Sequence, residues 1–518
     1  MRGINLANYL ENSAAAHPGK TALIFEGRKY TFEEVDGHAR AVANGLKALG
    51  IEKGDRITLL VSNTPEFIFF YFGILKIGAI VNPLNVMLKM REIDYVLNDC
   101  TPKLMVASSE LSSDAYQLFC RSGCCLRNMI VIGDSVQYER AIEYAEWIKE
   151  YDRNFDTVEV ARDDIAAILY TSGTTGKPKG VMLSHHNLWT NGRHSADWAE
   201  TTYWDTGVSA LPMFHSMPLT HVMAELWMNG GTFVLLRRFD PKACLEALVE
   251  YKATAFWGVA TMYHAILNMP DIDAYAQKCK LRYCVTGAAV TPEPILKAWN
   301  QKFTPLSEGY GLTEAAPVVC MNPMPARGVQ KANSCGFGLV PEIEVDILDI
   351  DGNKVKTGEV GELVVRGPNV MLGYWNRPQE SAETLRGGWL HTGDLACFDE
   401  DGYIFIKDRK KDIIITGGFN IYPKEIEDLL YTHPAVGEAQ VVGLPDLAKG
   451  EIAVACIALK KGQSATEEEI INFCRENMAI YKSPRRVLFL DELPKTATNK
   501  LEKMSLRKKV AETFGQAL

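Results

Sequence analysis

The sequence has no long hydrophobic run and no excess of basic residues. Its most apolar stretch, residues 67–81, contains Lys76 and two glycines and falls short of the roughly 20 apolar residues that a membrane-spanning helix needs. We therefore expect no transmembrane segment and predict a buried helix followed by a strand there. The 55 basic residues are outnumbered by 64 acidic ones, which gives a net charge of −9. General affinity for nucleic acids is not expected, because a chain without surplus cations gains little from displacing counterions.

The twelve cysteines lack the paired spacing of a zinc site. Cys120, Cys124 and Cys125 lie close together, but no matching pair of cysteine or histidine residues follows, so buried or incidental thiols are the better interpretation. This cysteine usage fits a reducing compartment and predicts a cytoplasmic location. The first 20 residues lack the apolar core of a signal peptide and predict an amphipathic helix.

The length of 518 residues predicts two to four structural units, because one ordinary hydrophobic core does not grow to this size. Strand-like and helix-like segments alternate through residues 1–160 and 230–300, which predicts α/β layers. A hairpin is predicted within residues 21–31. Thr31, with Glu34 three residues later, predicts a helix that begins with a capping box.

A loop rich in glycine and threonine follows a predicted buried strand at residues 165–170; residues 169–185 read LYTSGTTGKPKGVMLSH. Glycines let a backbone approach a ligand closely, and backbone N–H groups, hydroxyls and lysines can surround phosphate oxygens. The order fits neither the Walker A loop nor GxGxxG. Composition alone would also suit a mobile surface loop. As a phosphate site, the loop would use Thr171, Ser172, Gly173, Thr174, Thr175, Gly176 and Lys179.

The order of residues in this loop resembles the phosphate-binding loop of the adenylate-forming superfamily, which contains acyl-CoA synthetases, adenylation domains and luciferases. Other segments resemble the family's further motifs in the family's order, so the resemblance covers nearly the whole chain. These are residues 211–215 (LPMFH), 308–314 (EGYGLTE), 392–394 (TGD), 408–412 (DRKKD) and 494–500 (PKTATNK). Asn499 stands where the last motif has glycine; asparagine tolerates left-handed backbone, so the turn can be kept.

Several motif residues have side chains suited to a nucleotide. Tyr310 offers a flat face for stacking a base, between glycines that let it lie close to a ligand. Glu314 offers a carboxylate for Mg²⁺, which prefers hard oxygen ligands, and Asp394 can accept hydrogen bonds from both hydroxyls of a ribose. With the loop, the nucleotide- and cofactor-binding set that the resemblance implies comprises Ala288, Glu308, Gly309, Tyr310, Gly311, Thr313, Asp394, Arg409, Lys411, Gly417, Gly418 and Phe419.

The resemblance implies a catalytic set of Lys500, His215, Thr313 and Glu314, with Glu314 also binding the metal. Taken alone, a single histidine such as His215 is usually a hydrogen-bonded core residue. The residues implied for the acyl pocket are mostly apolar or small and include no cation that could pair with a second carboxylate. This favours an apolar monocarboxylate, either aromatic, alicyclic or medium-chain. The pocket residues are Met217, His221, Ala289, Ala316, Pro317 and Val318.

The fold implied by the resemblance has a large domain and a small one. Residues 1–409 would bind ATP and the acid on layered, mostly parallel sheets with a β-rich subdomain, and residues 410–518 would form a small mobile α+β domain that carries Lys500. The implied activity is that of an AMP-forming acyl-CoA ligase, which converts a carboxylic acid and Mg·ATP to an acyl-adenylate and pyrophosphate and then transfers the acyl group to CoA. The small domain would rotate about Lys411 between the two steps.

Four alternatives stay open at this point. They are a ligase for long-chain fatty acids, a stand-alone adenylation enzyme that loads a carrier protein, a luciferase-like oxygenase, and a nucleotide-binding regulator with a degenerate site. The apparent completeness of the motif set, including Lys500, argues against the regulator. Expected partners are small molecules (the acid, ATP and CoA), and a homodimer is compatible with this interpretation.

Overall fold

The computed structural model describes residues 4–133, 138–171, 178–287, 291–339, 342–410, 412–416, 419–447, 449–495 and 501–515, with residues 419 and 420 described by their backbone. The strands within these ranges are, in chain order, β1 (Thr21–Phe25), β2 (Arg28–Thr31), β3 (Arg56–Leu60), β4 (Ile80–Pro83), β5 (Leu104–Ser108), β6 (Asn128–Ile132), β7 (Ile142–Glu143), β8 (Ile165–Thr171), β9 (Lys179–Ser184), β10 (Thr206–Ser209), β11 (Thr232–Leu235), β12 (Ala255–Gly258), β13 (Tyr283–Thr286), β14 (Leu306–Gly311), β15 (Val318–Met321), β16 (Phe337–Gly338), β17 (Glu344–Leu348), β18 (Gly361–Arg366), β19 (Gly373–Tyr374), β20 (Leu390–Phe398), β21 (Ile404–Arg409), β22 (Ile414–Thr416), β23 (Phe419–Ile421), β24 (Val436–Asp446), β25 (Gly450–Leu459) and β26 (Arg486–Phe489).

The α-helices of the same ranges are α1 (Asn8–Ala16), α2 (Phe32–Ala48), α3 (Pro65–Lys76), α4 (Met90–Cys100), α5 (Ser112–Cys120), α6 (Tyr144–Trp147), α7 (His185–Ala199), α8 (Glu225–Trp227), α9 (Pro241–Glu250), α10 (Ala260–Leu267), α11 (Ile272–Ala276), α12 (Glu293–Lys302), α13 (Pro378–Thr384), α14 (Pro423–Leu430), α15 (Glu467–Asn477) and α16 (Lys503–Phe514). Short 3₁₀ turns occupy Ser109–Leu111, Ile148–Glu150, Thr313–Ala315 and Arg386–Gly388, and a π-helix occupies Met217–Ala224.

Two large sheets form the centre of the large domain. The nine-stranded sheet has the order β16-β15-β14-β13-β12-β10-β11-β1-β2, and its strands from β14 to β1 are parallel. The eight-stranded sheet has the order β19-β9-β8-β4-β3-β5-β6-β7 and is parallel from β8 to β7. Helices follow most of these strands, as parallel connections require. The predicted α/β layers are confirmed.

Two smaller antiparallel arrangements complete the fold. Strands β17-β18-β20-β21 form the predicted β-rich subdomain. Strands β23-β22-β25-β24, with β26 parallel to β25, form the sheet of the small α+β domain. Hydrophobic residues from Ile414 onward form clusters separate from the core of the large sheets. The exact boundary between residues 409 and 410 stays a prediction.

Local predictions near the N-terminus are confirmed where a short motif specifies the structure. The Thr31 side chain accepts from Glu34 N at 3.1 Å and the Glu34 carboxylate accepts from Thr31 N at 2.7 Å, so α2 begins with the predicted capping box. Within residues 67–81, helix α3 is buried and is followed by β4. Lys76 is fully buried there, and its ammonium lies 2.5 Å from Glu11 Oε1 and 2.8 Å from Asp36 Oδ1.

The apolar helix α3 ends at Lys76 and is 12 residues long. In the part of the chain that the structure describes, no helix is both long and apolar enough to cross a membrane.

Candidate active site

The ends of the phosphate loop are fixed by an antiparallel pair of strands. Thr171 at the end of β8 lies opposite Lys179 at the start of β9. The Lys179 ammonium lies 5.0 Å from the centre of the Tyr374 ring, a distance typical of a cation–π contact. Strand β19, which carries Tyr374, pairs with β9. Tyr374 thereby links the base of the loop to Glu314. The predicted loop residues Ser172, Gly173, Thr174, Thr175 and Gly176 lie outside the described residues.

Glu314 lies in the 3₁₀ turn after β14 and is partly exposed. The Tyr374 hydroxyl donates a hydrogen bond of 2.9 Å to Glu314 Oε1, and Met371 N donates one of 2.9 Å to the Glu314 carbonyl. Burial raises the pKa of the Glu314 carboxyl above its ordinary value. A carboxylate near the base of the predicted phosphate loop could hold Mg²⁺, which prefers hard oxygen ligands. Thr313 precedes it in the same turn.

Three predicted nucleotide residues from different strands meet at Asp394. The Tyr310 hydroxyl, on β14, donates a hydrogen bond of 2.6 Å to Asp394 Oδ2. Strands β20 and β21 pair so that Asp394 lies opposite Arg409, whose Nε is 3.4 Å from Asp394 Oδ1. The nearby carboxylate adds to the effect of burial, which is the larger cause, in raising the pKa of Tyr310. The structure therefore brings these three predicted site residues together.

Glu308, predicted as a nucleotide residue, is buried below the surface of the site. Its side chain accepts hydrogen bonds from Thr291 N at 3.2 Å and from Asn333 N at 2.8 Å. Burial is the main reason why its pKa is raised to about 7. Glu308 therefore holds two loops in place through their backbones. Ala288, the neighbouring prediction, lies outside the described residues.

The glycines on either side of Tyr310 have a packing role that the sequence did not indicate. A Cβ atom at Gly309 would lie 2.1 Å from Met321 Sδ, and one at Gly311 would lie 2.3 Å from the Pro317 carbonyl oxygen. Both distances are shorter than van der Waals contact, so the close approach of β14 to the segment that contains β15 requires glycine.

His215 lies in a turn that a distant residue fixes. Its backbone N donates to the Pro212 carbonyl at 3.0 Å, and its side chain is partly exposed. Asn63, between β3 and α3, donates to the carbonyls of Leu211 and Leu236 at 3.0 Å each and accepts from Met213 N at 2.8 Å. The sequence analysis did not single out Asn63. The available signal was a polar residue at the carboxyl end of a buried parallel strand, where sites form.

The predicted acyl-pocket residues come from two segments that touch. Thr220 Oγ1, on the π-helix that begins at Met217, donates to the Ala316 carbonyl at 3.0 Å. Asn191 brackets Val318, since Nδ2 donates to the Val318 carbonyl at 2.8 Å and Oδ1 accepts from Val318 N at 3.2 Å. Ala316, Pro317 and Val318 are buried, and the Ala316–Pro317 peptide bond is cis. Ala289 lies outside the described residues.

Met217 and His221 lie at different depths. Met217 is partly buried, whereas the His221 side chain is only 1% exposed. His221 Nδ1 lies 3.0 Å from Oε2 of the buried Glu225 side chain. The π-helix itself was not predicted.

Hydrogen bonds and ion pairs hold Asp408 and Asp412, which lie on either side of the predicted hinge. The Asp408 carboxylate accepts from Lys424 N at 3.1 Å, in the first turn of α14. Arg507 Nη2 lies 2.8 Å from Asp412 Oδ1. The Lys503 ammonium lies 3.2 Å from Glu427 Oε1. Of the small-domain predictions, Lys411, Gly417, Gly418 and Lys500 lie outside the described residues, and Phe419 is described by its backbone at the start of β23.

Comparison with known proteins covers both domains. Residues 10–375 match the family model of the AMP-binding enzymes, and residues 425–500 match that of the AMP-binding enzyme C-terminal domain. A long-chain-fatty-acid–CoA ligase of Bacillus subtilis (strain 168) is 35% identical over 98% of this chain and 94% of its own length. A feruloyl-CoA synthase of Amycolatopsis sp is 35% identical over 98% of this chain and 100% of its own length.

A solved structure gives the same result for the fold. The crystal structure of an anthranilate CoA ligase in complex with anthranoyl-AMP has a TM-score of 0.90 to this protein, at 30% sequence identity and with 98% of each chain covered. The family's reaction uses ATP with Mg²⁺ and CoA. The chain belongs to the AMP-binding enzyme family and is an AMP-forming acyl-CoA ligase.

Proposed function

We propose that this ligase activates an apolar monocarboxylic acid, either aromatic, alicyclic or medium-chain. The observation that carries the proposal is the hydrogen bond from Thr220 to the Ala316 carbonyl, because it packs the π-helix of Met217 against the buried turn of residues 316–318. This turn directly follows Glu314, so an acid held there would lie near the metal and the phosphates. Two of the similar proteins, the feruloyl-CoA synthase and the anthranilate CoA ligase, are named for aromatic acids.

We assign the chemistry of the first step to the residues described above. An acid carboxylate attacks the α-phosphorus of ATP, pyrophosphate leaves, and an acyl-adenylate forms. Glu314 would hold Mg²⁺, which neutralises phosphate charge. Asp394, oriented by Tyr310, would accept hydrogen bonds from the ribose hydroxyls, and Thr171 and Lys179 stand at the ends of the phosphate loop. Such a substitution depends mainly on positioning and charge neutralisation.

We further propose that residues 1–409 and 410–518 are the two domains, and that the small one rotates at Lys411 between the steps. Lys500 would neutralise the reacting oxygens during adenylation. The rotation would then place Gly417, Gly418 and Phe419 against the site while the CoA thiol attacks the acyl carbon and AMP leaves. The hydrogen bond to Asp408 and the ion pair of Asp412, on either side of Lys411, support a defined hinge.

The cysteines and the net charge bear on the location and the partners of the protein. We propose a cytoplasmic enzyme, since all twelve cysteines are free thiols, and one without nucleic-acid partners, since the net charge is −9. A homodimer stays a prediction, which light scattering coupled to size-exclusion chromatography tests.

A screen of pyrophosphate release over a panel of acids, with and without CoA, tests the proposed substrate class. Aromatic, alicyclic and medium-chain acids should be activated with higher kcat/KM than long-chain fatty acids or dicarboxylates. Met217→Arg should abolish use of the acid but leave ATP binding intact, because a buried unpaired charge is costly. A preference for long-chain acids would contradict the proposed substrate class and would identify the protein as a long-chain acid ligase. Transfer to a carrier protein without any use of CoA would contradict the acceptor.

The half-reactions test the hinge. Loss of one preorganised charge at a reacting phosphate typically costs roughly 10²–10³ in rate, so Lys500→Ala should slow pyrophosphate release by about that factor. The same variant should still transfer the acyl group from pre-made acyl-adenylate to CoA. Lys411→Pro should show the opposite pattern, because proline fixes φ at the hinge. Equal losses of both half-reactions in Lys500→Ala would contradict domain alternation.

A further inference from the structure

Asp99 lies in the last turn of α4, where the direction of the helix dipole disfavours an acidic side chain. This side chain is only 12% exposed. The Tyr170 hydroxyl donates a hydrogen bond of 2.7 Å to Asp99 Oδ2, and Arg377 Nη2 donates one of 3.1 Å to Asp99 Oδ1. Both carboxylate oxygens are therefore bound by residues that lie 71 and 278 positions further along the chain.

The backbone of Asp99 contacts the same segment as Arg377. The last carbonyls of an α-helix have no partner within the helix, so they need acceptor contacts from elsewhere. The Asp99 carbonyl accepts a hydrogen bond of 3.0 Å from Trp375 Nε1 and one of 3.2 Å from Asn376 Nδ2. Asp99 therefore binds three consecutive residues, 375–377, through its carboxylate and its carbonyl.

The residues that Asp99 binds stand at the two ends of the predicted phosphate loop. Tyr170 directly precedes Thr171, the first residue of the loop, on strand β8. Residues 375–377 directly follow Tyr374, whose ring centre lies 5.0 Å from the Lys179 ammonium at the other end of the loop. The last turn of α4 thereby connects both ends.

A glycine allows the two ends to pack closely. A Cβ atom at Gly180 would lie 3.1 Å from Tyr170 Cζ and 3.3 Å from Trp375 Cβ, both tighter than ordinary van der Waals contact. Trp375 N also donates to the Gly180 carbonyl at 2.7 Å. The end of α4, the start of β9 and residues 375–377 therefore form one packed unit at the base of the loop.

We propose that Asp99 is a positioning residue for adenylation, which holds the two ends of the phosphate loop in the arrangement that binds the phosphates of ATP. The inference rests on the proposed assignment of this loop to ATP. Asp99 acts through Tyr170 on one end and through residues 375–377 on the other. Because substitution at phosphorus depends on positioning, a displaced loop should slow the step that uses the triphosphate. Acyl transfer from a finished adenylate to CoA does not use pyrophosphate, so this step should depend little on Asp99.

The two half-reactions test this proposal. Asp99→Ala should lower kcat/KM for ATP in pyrophosphate release by about 10- to 100-fold, because it removes two hydrogen bonds, one of them from a guanidinium. The same variant should transfer the acyl group from pre-made acyl-adenylate to CoA at close to the wild-type rate. Asp99→Asn keeps an oxygen acceptor for the Tyr170 hydroxyl and should recover part of the loss.

Two further variants make the comparison specific. Asp94→Ala is the matched control, because Asp94 lies on the same helix and pairs with a different arginine, Arg121. It should leave both half-reactions unchanged. Tyr170→Phe keeps the ring and removes only the hydrogen bond to Asp99, so it should show a smaller loss confined to pyrophosphate release. This variant decides the question if Asp99→Ala does not fold.

Equal losses of both half-reactions in Asp99→Ala would show a purely structural role and overturn the proposal. An unchanged kcat/KM for ATP in Asp99→Ala, or in Tyr170→Phe where the alanine variant does not fold, would overturn it as well. Lys179→Ala reports on the loop itself and should slow pyrophosphate release. If Lys179→Ala slowed neither half-reaction, the assignment of the loop to ATP would fail instead.

Discussion

The Tyr310 hydroxyl donates a hydrogen bond of 2.6 Å to Asp394 Oδ2, although the two residues are 84 positions apart in the chain. The bond joins β14 of the nine-stranded sheet to β20 of the β-rich subdomain. A tyrosine in this position can stack on a base with its ring while its hydroxyl fixes the carboxylate that we assign to the ribose. One side chain thereby sets the relative position of two parts of the nucleotide site.

Tyr310→Phe tests this relationship because it keeps the ring and removes the hydrogen bond. We expect KM for ATP to rise by roughly 3- to 10-fold, which corresponds to a typical net hydrogen bond. If Tyr310 acts through Asp394, the double variant Tyr310→Phe/Asp394→Ala should be no worse than Asp394→Ala alone. Additive losses in this double-mutant cycle would show that the hydroxyl acts independently of Asp394.

Glu314→Gln tests the metal assignment. The amide keeps an oxygen for the Tyr374 hydroxyl but loses the charge, so pyrophosphate release should fall by roughly 10²–10³ and the Mg²⁺ concentration for half-maximal rate should rise. Tyr374→Phe is the matched control, because it removes only the hydrogen bond and should cost about tenfold or less. An unchanged Mg²⁺ titration in Glu314→Gln would remove Glu314 from the metal site.

The buried carboxyl of Glu308 predicts a pH-dependent stability. Its pKa is raised from 4.5 to about 7, so the folded protein keeps this proton at pH values where the unfolded chain has lost it. The stability associated with the proton is therefore present below about pH 4.5 and is lost as the pH rises through about 7. The expected loss for the large domain is on the order of 3 kcal/mol.

Urea unfolding at pH 5 and pH 8 measures this loss. Glu308→Gln cannot titrate, so its unfolding midpoint should fall less between the two pH values than that of the wild type. Glu293→Gln, a change at a half-exposed side chain paired with Lys297, should behave like the wild type. Parallel pH dependences in Glu308→Gln and the wild type would mean that Glu308 is ionised in the folded protein at pH 5.

Asn63→Ala should destabilise the turn that holds His215. It leaves two carbonyls and one N–H unpaired in the interior, at a cost of roughly 2–4 kcal/mol. We also expect a lower kcat/KM for the acid, since the turn leads directly to His215 and Met217. Asn44→Ala is the control, because Asn44 also bonds to backbone carbonyls but at the surface. An effect of Asn63→Ala no larger than that of Asn44→Ala would show that the turn is stable without the hydrogen bonds of Asn63.

The sequence predicted those parts of the molecule that short motifs encode. The capping box at Thr31 and the buried helix α3 each depend on residue types at fixed spacing. The α/β layers follow from alternating segments. A sequence carries such information locally, because hydrophobic period and caps act over a few residues.

The parts that sequence reasoning missed depend on partners that are far apart in the chain. Asn63 donates hydrogen bonds to Leu211 and Leu236, and Tyr374 donates one to Glu314. Neither pairing can be read from the residues next to it in the sequence. Glu308 has a carboxylate of the kind that binds ligands, yet this carboxylate accepts hydrogen bonds from backbone N–H groups. The π-helix at Met217 has no reliable local signature in the sequence.

The most direct test of the central claim, that the acid is activated as an acyl-adenylate, follows one oxygen atom. An acid from the substrate screen is labelled with ¹⁸O in both carboxyl oxygens and converted to its CoA thioester by the enzyme. Attack of the carboxylate on the α-phosphorus, followed by cleavage of the acyl carbon–oxygen bond by CoA, leaves one labelled oxygen on the phosphate of AMP. Mass spectrometry should therefore find AMP heavier by about 2 Da, with unlabelled pyrophosphate. Label in inorganic phosphate together with ADP, or unlabelled AMP, would contradict the account.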